Sequence, residues 1–384
     1  MSTGGTTTEV SDEVARRAEA QNLLTLGVEE EYLLVDAESP AAAPVVEDVF
    51  DHIPAELRDS VQHEYWRSQI EVAGPPGLDL HDLWRALGDL RHGLAEAAGK
   101  AGARLVAVGA NPSPGPDIDV VDSPRYHRMV ERFGDLSPGA GLNGMHVHVG
   151  IPDPETGVQI LNHLRPWLPI LQAATANSPF FQGRDTGYAS WRSVMWERWP
   201  TVGPAPFLHD HAEYEQMIAD LVATGAMLDD GMLYWYARLS ARYPTVEVRI
   251  GDVCPTLDDT LLVAALIRGL VATVLTDVGD GRAPLNVPHH VLAGAHWRAA
   301  KDGLEGLAVD PETRQTRPAW HLMRQLFDRI RPELERHGDL EMVTVLLGRL
   351  RARGTGAARQ RAVHAGGGDI ADVVDWLADH TRAR

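Results

Sequence analysis

The stretch Thr25–Asp36, which reads TLGVEEEYLLVD, sets the interpretation of the whole sequence. It is apolar toward both ends and carries three consecutive glutamates in the middle. Because successive side chains of a strand point to opposite faces, Glu29 and Glu31 would share one face and Glu30 would take the other. Carboxylates at this spacing lie roughly 7 Å apart, which suits ligands around one or two hard cations. The alternative is an edge strand whose charges face water.

Composition limits the classes to which the protein can belong. The chain has 384 residues, an apolar share of 44% and a formal net charge of 35 − 54 = −19. That charge argues against a nucleic-acid partner, because the protein would repel the phosphate backbone. The single cysteine, Cys254, allows no intrachain disulfide and fits a cytoplasmic protein. No window holds the roughly 18 uncharged apolar residues that a membrane span needs, so no membrane partner is expected.

The sequence predicts a short leader and one large domain. Residues 1–22 join a Ser/Thr/Gly stretch to a charged, Ala-rich one and lack the apolar core of a signal peptide, which predicts a flexible leader. Residues 23–384 are expected to form a single catalytic domain that is mainly helical from about residue 307. Whether the apolar C-terminal helices pack on this domain or on a second copy in a homo-oligomer is left open.

Four predicted strands share one pattern, at 25–36, 63–73, 143–151 and 243–252. Each has one apolar and one polar face, as strands of antiparallel sheets commonly do. The polar faces carry Glu29, Glu31, Gln69, Glu71, His146, His148, Glu247 and Arg249. Carboxylates gathered on one face repel each other unless a cation lies among them. The four strands together therefore predict a concave sheet face that binds metal ions and a polyphosphate.

Helices are predicted between and after these strands. The helical spacing of apolar residues predicts them over 80–99, 156–177, 212–224 and 257–277. Pro166 predicts a kink in the second of these helices. The aromatic-rich stretch 178–206 has no clear period, which predicts an ordered loop with a helical turn or two.

Several residues near the predicted metal site admit more than one interpretation. His146 and His148 could together bind zinc, but the surrounding oxygen ligands favour Mg²⁺ or Mn²⁺. His148 is equally well explained as a polar residue that supports a ligand. Glu64 lies an odd number of residues from Glu71 and would need a bulge to reach the same face, so it is not in the predicted set. The sequence contains no P-loop, HExxH or GxSxG motif and no GxGxxG after a strand.

Longer motifs occur in one order along the chain and give a more specific indication. They are LGVEEEYLLVD, SQIEVA, DSPRY, GMHVHVGI, SPFFQGRDTGYASWRSVMWERWP, EYEQMIADLVATGAMLDDGMLYWYARLSARYPTVEVRIGD and HWRAAKDGLEG. Together they resemble the type 2 glutamate–cysteine ligase family, also called the carboxylate–amine ligases. The resemblance runs from about Leu24 to Gly306 and then weakens.

The resemblance implies an α+β fold like those of glutamine synthetase and the guanidino kinases. In that fold a curved, mainly antiparallel sheet forms a funnel, and helices pack outside it. The resemblance also implies ATP with Mg²⁺ or Mn²⁺ and small-molecule substrates. A carboxylate, expected to be the γ-carboxylate of glutamate, is activated as an acyl phosphate and joined to an amine, with cysteine as one candidate acceptor.

Individual residue roles follow from positions in the family's motifs. The implied metal ligands are Glu29, Glu31, Glu71, His146 and Glu247. The residues implied in catalysis are Arg249, His146 and Arg192, and those implied at the nucleotide are Arg249, Arg184 and Arg298. The family usually has Asn at His296 and Arg at Lys301, so the roles of that stretch stay open.

Two other functions remain compatible with the residues. A phosphotransferase of the guanidino kinase type would stop at the phosphorylated product, because phosphoryl transfer needs positioning and charge neutralisation rather than a protein nucleophile. A non-catalytic relative would bind a nucleotide or metal without turnover. Neither the residues nor the motifs identify the amine. Cys254 is interpreted as a core residue, because nothing in its sequence neighbourhood indicates an activated thiolate.

Overall fold

A single mainly antiparallel sheet lies at the centre of the computed structural model, which describes residues 23–115, 118–134, 136 and 141–383. The leader predicted for residues 1–22 lies outside the described residues. The strands, in chain order, are β1 (Leu26–Asp36), β2 (Val61–His63), β3 (Gln69–Ala73), β4 (Ala103–Val106), β5 (Gly144–Gly150), β6 (Phe180–Phe181), β7 (Arg184–Asp185), β8 (Ala237–Leu239), β9 (Thr245–Asp252), β10 (Leu307–Val309) and β11 (Thr316–Pro318).

Seven of these strands form the central sheet. The order across it is β2, β3, β1, β5, β9 and β8, and β4 also pairs with β1. Every pairing between these seven described strands is antiparallel. The pairs β6–β7 and β10–β11 are separate two-stranded ribbons. The α+β class and the mainly antiparallel sheet that the sequence predicts are therefore confirmed.

Strand β1 is long enough to pair with three other strands. Its Glu29 lies opposite Ala73 on β3 and opposite His146 on β5. Its Glu31 lies opposite Glu71. Pairing along both edges fixes the register of β1, and a shift by one residue would exchange its two faces.

The predicted strand over 63–73 is wrong in its first half. The chain forms β2, turns at residues 64–68 and returns as β3, so that Val61 pairs with Val72 and His63 with Ile70. The alternation of side chains that a strand imposes therefore does not apply to the turn. Because Glu64 lies in that turn, its side chain can point to the face that strand alternation would exclude.

The helices, in chain order, are α1 (Val46–His52), α2 (Leu80–Lys100), α3 (Pro124–Phe133), α4 (Pro154–Leu164), α5 (Leu168–Ala174), α6 (Trp191–Trp196), α7 (His211–Ala223), α8 (Leu257–Gly279), α9 (His289–Asp302), α10 (Ala319–Arg336), α11 (Leu340–Arg353), α12 (Gly356–Ala365) and α13 (Ile370–Arg382). Pro166 separates α4 from α5, so the predicted kink is a full break between two helices. The residues from 307 onward are mainly helical, as predicted.

Helix α8 forms the centre of the core behind the apolar face of the sheet. Its apolar residues share one buried cluster with Val28, Val147 and Val248 of the sheet. By length and composition this helix could cross a membrane, which corrects the expectation that no segment could. Of its most apolar 18-residue window, 78% is buried inside the protein, as in the core helix of a soluble protein.

Glu30 confirms the predicted parity of β1. Its side chain is fully buried on the apolar face and forms an ion pair with Arg91 of α2. Tyr32 Oη donates to Glu30 Oε2 at 2.5 Å, and Thr260 Oγ1 donates to Oε1 at 2.7 Å. Burial alone would raise the pKa of Glu30, but Arg91 and these hydrogen bonds lower it below its usual range. Arg91 also donates to the carbonyl of Cys254, which joins β1, α2 and the start of α8.

Glu30→Gln should therefore destabilise the fold strongly. The substitution leaves the buried guanidinium of Arg91 without its counter-charge, a change that costs on the order of 3–5 kcal/mol. Urea denaturation monitored by circular dichroism measures the loss. Adding Arg91→Met should recover part of it, because the unpaired charge is then gone. The exposed Glu96 on the same helix provides the control, since its change to Gln should stay within about 0.5 kcal/mol. Equal losses for Glu30→Gln and Glu96→Gln would contradict this account.

Candidate active site

A cavity of about 900 Å³ opens on the polar face of the sheet. Its floor is formed by the polar residues of β1, β3, β5 and β9. Its walls come from the start of α3, the end of α6 with the residues after it, and the turns at 229–231 and 240–244. The sheet thus presents the predicted polar face to a space large enough for a nucleotide and a small substrate.

A group of hard ligands lies at the middle of this floor. Glu29, His146 and Glu247 each offer one ligand atom, and these atoms lie within 4.8 Å of one another. His146 Nδ1 lies 3.1 Å from Glu29 Oε2, and His146 Nε2 lies 3.4 Å from Glu31 Oε1. Burial, then the charge of Arg249, lowers the pKa of His146, which favours the neutral imidazole that a metal requires.

Two further carboxylates, Glu64 and Glu71, extend this group toward β3. Burial, followed by the charge of Glu31, raises the pKa of Glu64 to about 8. Burial and then the charge of Glu64 raise the pKa of Glu71 well above its usual range. Acids that are forced together and out of water bind protons when no cation neutralises them. A divalent cation here would displace those protons, so the group fits a dication.

Glu64 is a residue that the sequence analysis excluded. The exclusion relied on a continuous strand from 63 to 73, and the turn at 64–68 removes that premise. The signal that could have found it is local. Glu64 directly follows β2, and an acid at the start of a turn beside a polar strand face can reach over that face.

His148 lies two residues after His146 on β5, and both side chains lie on the cavity face of the sheet. Its Nδ1 lies 2.9 Å from Thr245 Oγ1, which fixes the ring. Its Nε2 is buried and lies 3.4 Å from Glu29 Oε1, without an aligned hydrogen bond to any described residue. A buried ring nitrogen without a well-aligned hydrogen bond points to a ligand or a bound water at this position.

Arg249 and Arg238 both lie against Glu247. Arg249 Nη1 is paired with Glu247, while its Nε is buried and has no partner among the described residues. Arg238 Nε donates to Glu247 Oε2 at 2.7 Å, and its Nη1 donates to the carbonyls of Gly231 and Leu233 at 3.1 and 3.0 Å. Although burial would raise the pKa of Glu247, the two arginines lower it far below its usual range.

Arg192 enters the cavity from α6 and forms no ion pair with any residue that the structure describes. Its guanidinium lies 4.7 Å from the Trp196 ring centroid, and Nη1 donates to the Ile250 carbonyl at 3.4 Å. Its Nε is buried without a partner among the described residues. A Cβ at position 144 would collide with this guanidinium, so the close approach requires Gly144. Burial lowers the pKa of Arg192, although the arginine stays charged, and an anion would relieve that cost.

A buried network fixes the helix that carries Arg192. Asp252, at the end of β9, accepts hydrogen bonds from Ser178 Oγ at 2.7 Å and from Ser190 Oγ at 2.8 Å. Ser190 caps α6 by accepting from the Ser193 amide. Helix α6 is therefore tied to the same sheet that carries the carboxylates. This arrangement favours a rigid substrate site.

The structure does not bring Arg184 and Arg298 into the cavity. Arg184 is exposed on the β6–β7 ribbon, and it does not line the cavity. Arg298, on α9, forms an ion pair with Asp302 at 3.1 Å instead. Their assignment to the nucleotide thus gains no support from their placement. The reason is that motif position gives a residue's neighbourhood but not the direction of its side chain.

The two positions that depart from the family pattern also lie outside the cavity lining. His296 is buried, its Nδ1 is 2.7 Å from Gln172 Oε1, and burial lowers its pKa to about 3. Lys301 lies 4.6 Å from the ring centroid of Tyr188. Both residues therefore support the packing of α9. Cys254 is buried in the core, as predicted, and burial raises the pKa of its thiol.

Comparison with known proteins identifies the family. The family profile described as Glutamate-cysteine ligase family 2 (GCS2) matches residues 25–375. The chain belongs to this family. A protein of Salinispora arenicola named "Putative glutamate--cysteine ligase 2" is 51% identical over 360 residues, which cover 94% of this chain and 95% of the relative. A relative from Mycobacterium sp. (strain KMS), named "Putative glutamate--cysteine ligase 2-2", is 44% identical over 360 residues, 94% of this chain and 99% of its own.

Two solved structures share the fold at low sequence identity. A bifunctional glutathione synthetase from Pasteurella multocida aligns with a TM-score of 0.68 at 16% identity, over 97% of this chain and 54% of that protein. A glutamate–cysteine ligase from Francisella tularensis, in complex with AMP, aligns with a TM-score of 0.67 at 14% identity, over 95% of this chain and 90% of that one. At these low identities the likeness supports the fold of this chain and carries no information about its substrates.

The raised pKa of Glu64 predicts a pH dependence of stability in the absence of divalent cations. The folded value of about 8 lies above the ordinary 4.5, so between these values the folded protein binds a proton that the unfolded chain has lost. The contribution of Glu64 to the free energy of unfolding should therefore fall as pH rises from about 5 to 8, by a few kcal/mol at most.

The measurement compares wild type with Glu64→Gln by urea denaturation in EDTA at pH 5, 6.5 and 8. The variant should gain stability relative to wild type as pH rises, and saturating Mg²⁺ should reduce this difference. The exposed Glu131 provides the control, because its change to Gln should follow wild type at every pH. A constant difference between Glu64→Gln and wild type would show that Glu64 titrates normally.

Proposed function

We propose that this family member joins the γ-carboxylate of glutamate to an amine, with ATP and Mg²⁺ or Mn²⁺. ATP-dependent formation of an amide from a carboxylate and an amine is the reaction class of the family. The substrates and the residue roles are what we propose. The observation that supports them best is the floor of the cavity, where a carboxylate–histidine group lies beside Arg249 and Arg192, whose guanidinium nitrogens are incompletely paired.

The residues of the floor fit divalent cations. Glu29, Glu31, Glu71, His146 and Glu247 are the proposed ligands, and we add Glu64 to them because of its position and its raised pKa. When bound, the cations would neutralise the charge that develops on the transferred phosphoryl group. Hard carboxylate oxygens are the ligands that Mg²⁺ and Mn²⁺ prefer. The names of the relatives, "Putative glutamate--cysteine ligase 2" and "Putative glutamate--cysteine ligase 2-2", support glutamate as the donor.

The two arginines, Arg249 and Arg192, would bind different anionic groups of the substrates. Arg249, next to the proposed ligand Glu247, is suited to the oxygens of the transferred phosphoryl group, because its planar fork contacts two oxygens at once. Arg192 is suited to the α-carboxylate of glutamate, because it has no counter-ion of its own. The γ-carboxylate would then lie between them, near His146.

The reaction then proceeds in two steps. A γ-carboxylate oxygen attacks the terminal phosphorus of ATP, the bond to the bridging oxygen breaks, and ADP leaves. The amine nitrogen attacks the acyl carbon, the carbon–oxygen bond to phosphate breaks, and inorganic phosphate and a proton leave. The amide and ADP are formed in equal amounts. The acyl phosphate would be hydrolysed by water, and binding inside the cavity would protect it.

The direct test is product analysis with purified protein. With Mg²⁺, ATP, glutamate and a panel of amines, ADP and phosphate should appear together with a γ-glutamyl amide, identified by mass spectrometry. ADP formation that does not require an amine and leaves a stable phosphorylated product would support a phosphotransferase instead. Formation of AMP and pyrophosphate would contradict the acyl-phosphate mechanism.

Arg249→Lys should lower kcat by about 10²–10³, because a lysine cannot contact two phosphoryl oxygens in the transition state. The control is Arg104→Lys, since Arg104 pairs with Asp375 and does not line the cavity. Steady-state kinetics with ATP as the varied substrate measures the effect, and thermal melting confirms that the variant is folded. Wild-type kcat in a folded Arg249→Lys protein would remove Arg249 from the reacting centre.

A further inference from the structure

Strand β9 contains a β-bulge in the middle of the cavity floor. Val147 of β5 lies opposite Val248, whereas Met145, two residues earlier, lies opposite Gly251, three residues later. Between these two pairs β9 therefore has one residue more than β5, which makes the irregularity a bulge. Because the side chains of a strand alternate between its faces, the extra residue reverses the faces of the side chains that follow it.

The bulge turns Asp252, the last residue of β9, to the cavity side of the sheet. An unbroken ladder would place Gly251 opposite Gly144 and would direct Asp252 into the apolar core. In the observed register Asp252 itself lies opposite Gly144. Gly144 is also the residue against which the Arg192 guanidinium packs. Burial raises the pKa of Asp252, and the charge of Arg192 opposes this rise more than any other interaction does, as expected for neighbouring groups.

Asp252 is connected to Arg192 through two hydroxyl groups. Its carboxylate is buried, does not line the cavity and forms no ion pair with any described residue. Ser178 Oγ donates to Asp252 Oδ2 at 2.7 Å and accepts the backbone N–H of Arg192 at 3.0 Å. Ser190 Oγ donates to Oδ1 at 2.8 Å and accepts the backbone N–H of Ser193 at 3.3 Å. Each hydroxyl thus links the carboxylate to the first turn of α6.

The position of the Asp252 carboxylate is fixed from its other side as well. The backbone N–H of Asn177 donates to Oδ2 at 2.9 Å. Asn177 Nδ2 donates to the carbonyls of Ala107 and Val253 at 3.0 and 2.8 Å. A Cβ at position 109 would lie 2.6 Å from Asp252 Cγ, so Gly109 permits the chain after β4 to pack directly on the acid. The carboxylate is therefore a rigid anchor for α6.

Helix α6 has a second anchor that does not involve Asp252. Gln172 of α5 donates from Nε2 to Ser193 Oγ at 2.9 Å, and its Oε1 lies 2.7 Å from His296 Nδ1 of α9. Loss of the Asp252 contacts should therefore shift the first turn of α6 without detaching the helix. Such a shift would move the Arg192 guanidinium within the cavity.

We propose that Asp252 is a positioning residue for Arg192, which sets the affinity of the site for glutamate without contacting the substrate. The proposal rests on the proposed function, in which Arg192 binds the α-carboxylate of glutamate. A guanidinium binds a carboxylate through two N–H groups in one fixed plane, so a small displacement of its backbone weakens both contacts. The bulge is the device that makes this support available, because it brings the acid to the side of the sheet on which Arg192 lies.

Asp252→Asn and Ser190→Ala test the proposal without altering the cavity lining. The first replaces one acceptor oxygen with a donor, and the second removes one hydroxyl. Glutamate is titrated calorimetrically into protein saturated with Mg²⁺ and AMP-PNP, an ATP analogue that does not transfer its phosphate. Asp252→Asn should raise the Kd of glutamate about tenfold, because a misplaced orienting group costs this much or more. Ser190→Ala should raise it less.

Two comparisons separate positioning from a general loss of stability. The Kd of AMP-PNP, titrated in the presence of Mg²⁺, should stay within about twofold of wild type in both variants. Thr381 provides the matched control, because its buried hydroxyl accepts from the Ala107 amide at 2.8 Å and donates to the Leu377 carbonyl at 2.7 Å, away from the cavity. Thr381→Val should lower the melting temperature and leave the Kd of glutamate unchanged.

A double-mutant cycle with Arg192→Lys shows whether Asp252 acts through Arg192. Arg192→Lys should itself weaken glutamate binding, because an ammonium on a flexible stem cannot form the planar two-pronged contact. In that background Asp252→Asn should change the Kd of glutamate by less than about threefold, since a lysine depends less on the exact position of its backbone.

The outcomes distinguish this proposal from the proposed function. An unchanged Kd of glutamate in folded Asp252→Asn and Ser190→Ala proteins would overturn the positioning role and leave the proposed function intact. Equal weakening by Asp252→Asn in the Arg192 and Lys backgrounds, or equal weakening of AMP-PNP binding, would do the same. If Arg192→Lys binds glutamate as wild type does, the assignment of Arg192 to the α-carboxylate fails, and the positioning role fails with it.

Discussion

Pairing of β1 along both edges is the constraint on which the site depends. Glu29 is opposite Ala73 on one side and His146 on the other, so the strand cannot slide without breaking two ladders. A shift by one residue would bury Glu29 and Glu31 in the apolar core and bring Glu30 into the cavity. In the observed register, Glu30 lies in that core and forms an ion pair with Arg91. The same register that places the proposed ligands also satisfies Glu30, the buried carboxylate of β1 that faces away from them.

Carboxylates on the two faces of β1 lie in opposite electrostatic environments. On the apolar face, Arg91 and two hydroxyl groups keep Glu30 ionised, because a buried carboxylate needs both a counter-charge and hydrogen bonds. On the cavity face, burial and then the charges of neighbouring carboxylates raise the pKa values of Glu64 and Glu71. The first arrangement stabilises the fold by itself. The second is unfavourable without a cation. If the proposed cations bind there, part of their binding energy would compensate for this repulsion.

Strand parity is the part of this organisation that the sequence could predict. Alternation along β1, β5 and β9 correctly assigned faces to Glu29, Glu31, His146, His148, Glu247 and Arg249, because a strand leaves no freedom in that respect. It also assigned Glu30 to the opposite face, although it did not indicate that Arg91 on α2 would pair with it there. Parity failed at Glu64, because a turn interrupts the strand there and the period no longer applies.

Loop arginines were the least predictable part of the site. Arg184 and Arg192 lie eight residues apart in one motif, yet only Arg192 reaches the cavity. What separates them is tertiary: Asp252 and Ser190 hold α6 against the sheet, whereas Arg184 lies on a short exposed ribbon. Contacts of this kind join residues more than sixty positions apart, so the periodicity of a local segment cannot predict them.

The arrangement of arginines explains how a protein of net charge −19 can select among anions. Its cavity does not depend on an excess of positive charge. Of the five arginines that line it among the described residues, Arg125, Arg238 and Arg249 are already paired with acids. A guanidinium remains charged at any physiological pH, and each pair has a fixed geometry. Attraction for an anion is therefore confined to places where a guanidinium is left incompletely paired or where a dication binds. Selectivity follows from the number and position of these places, since an anion that finds none of them meets only carboxylates.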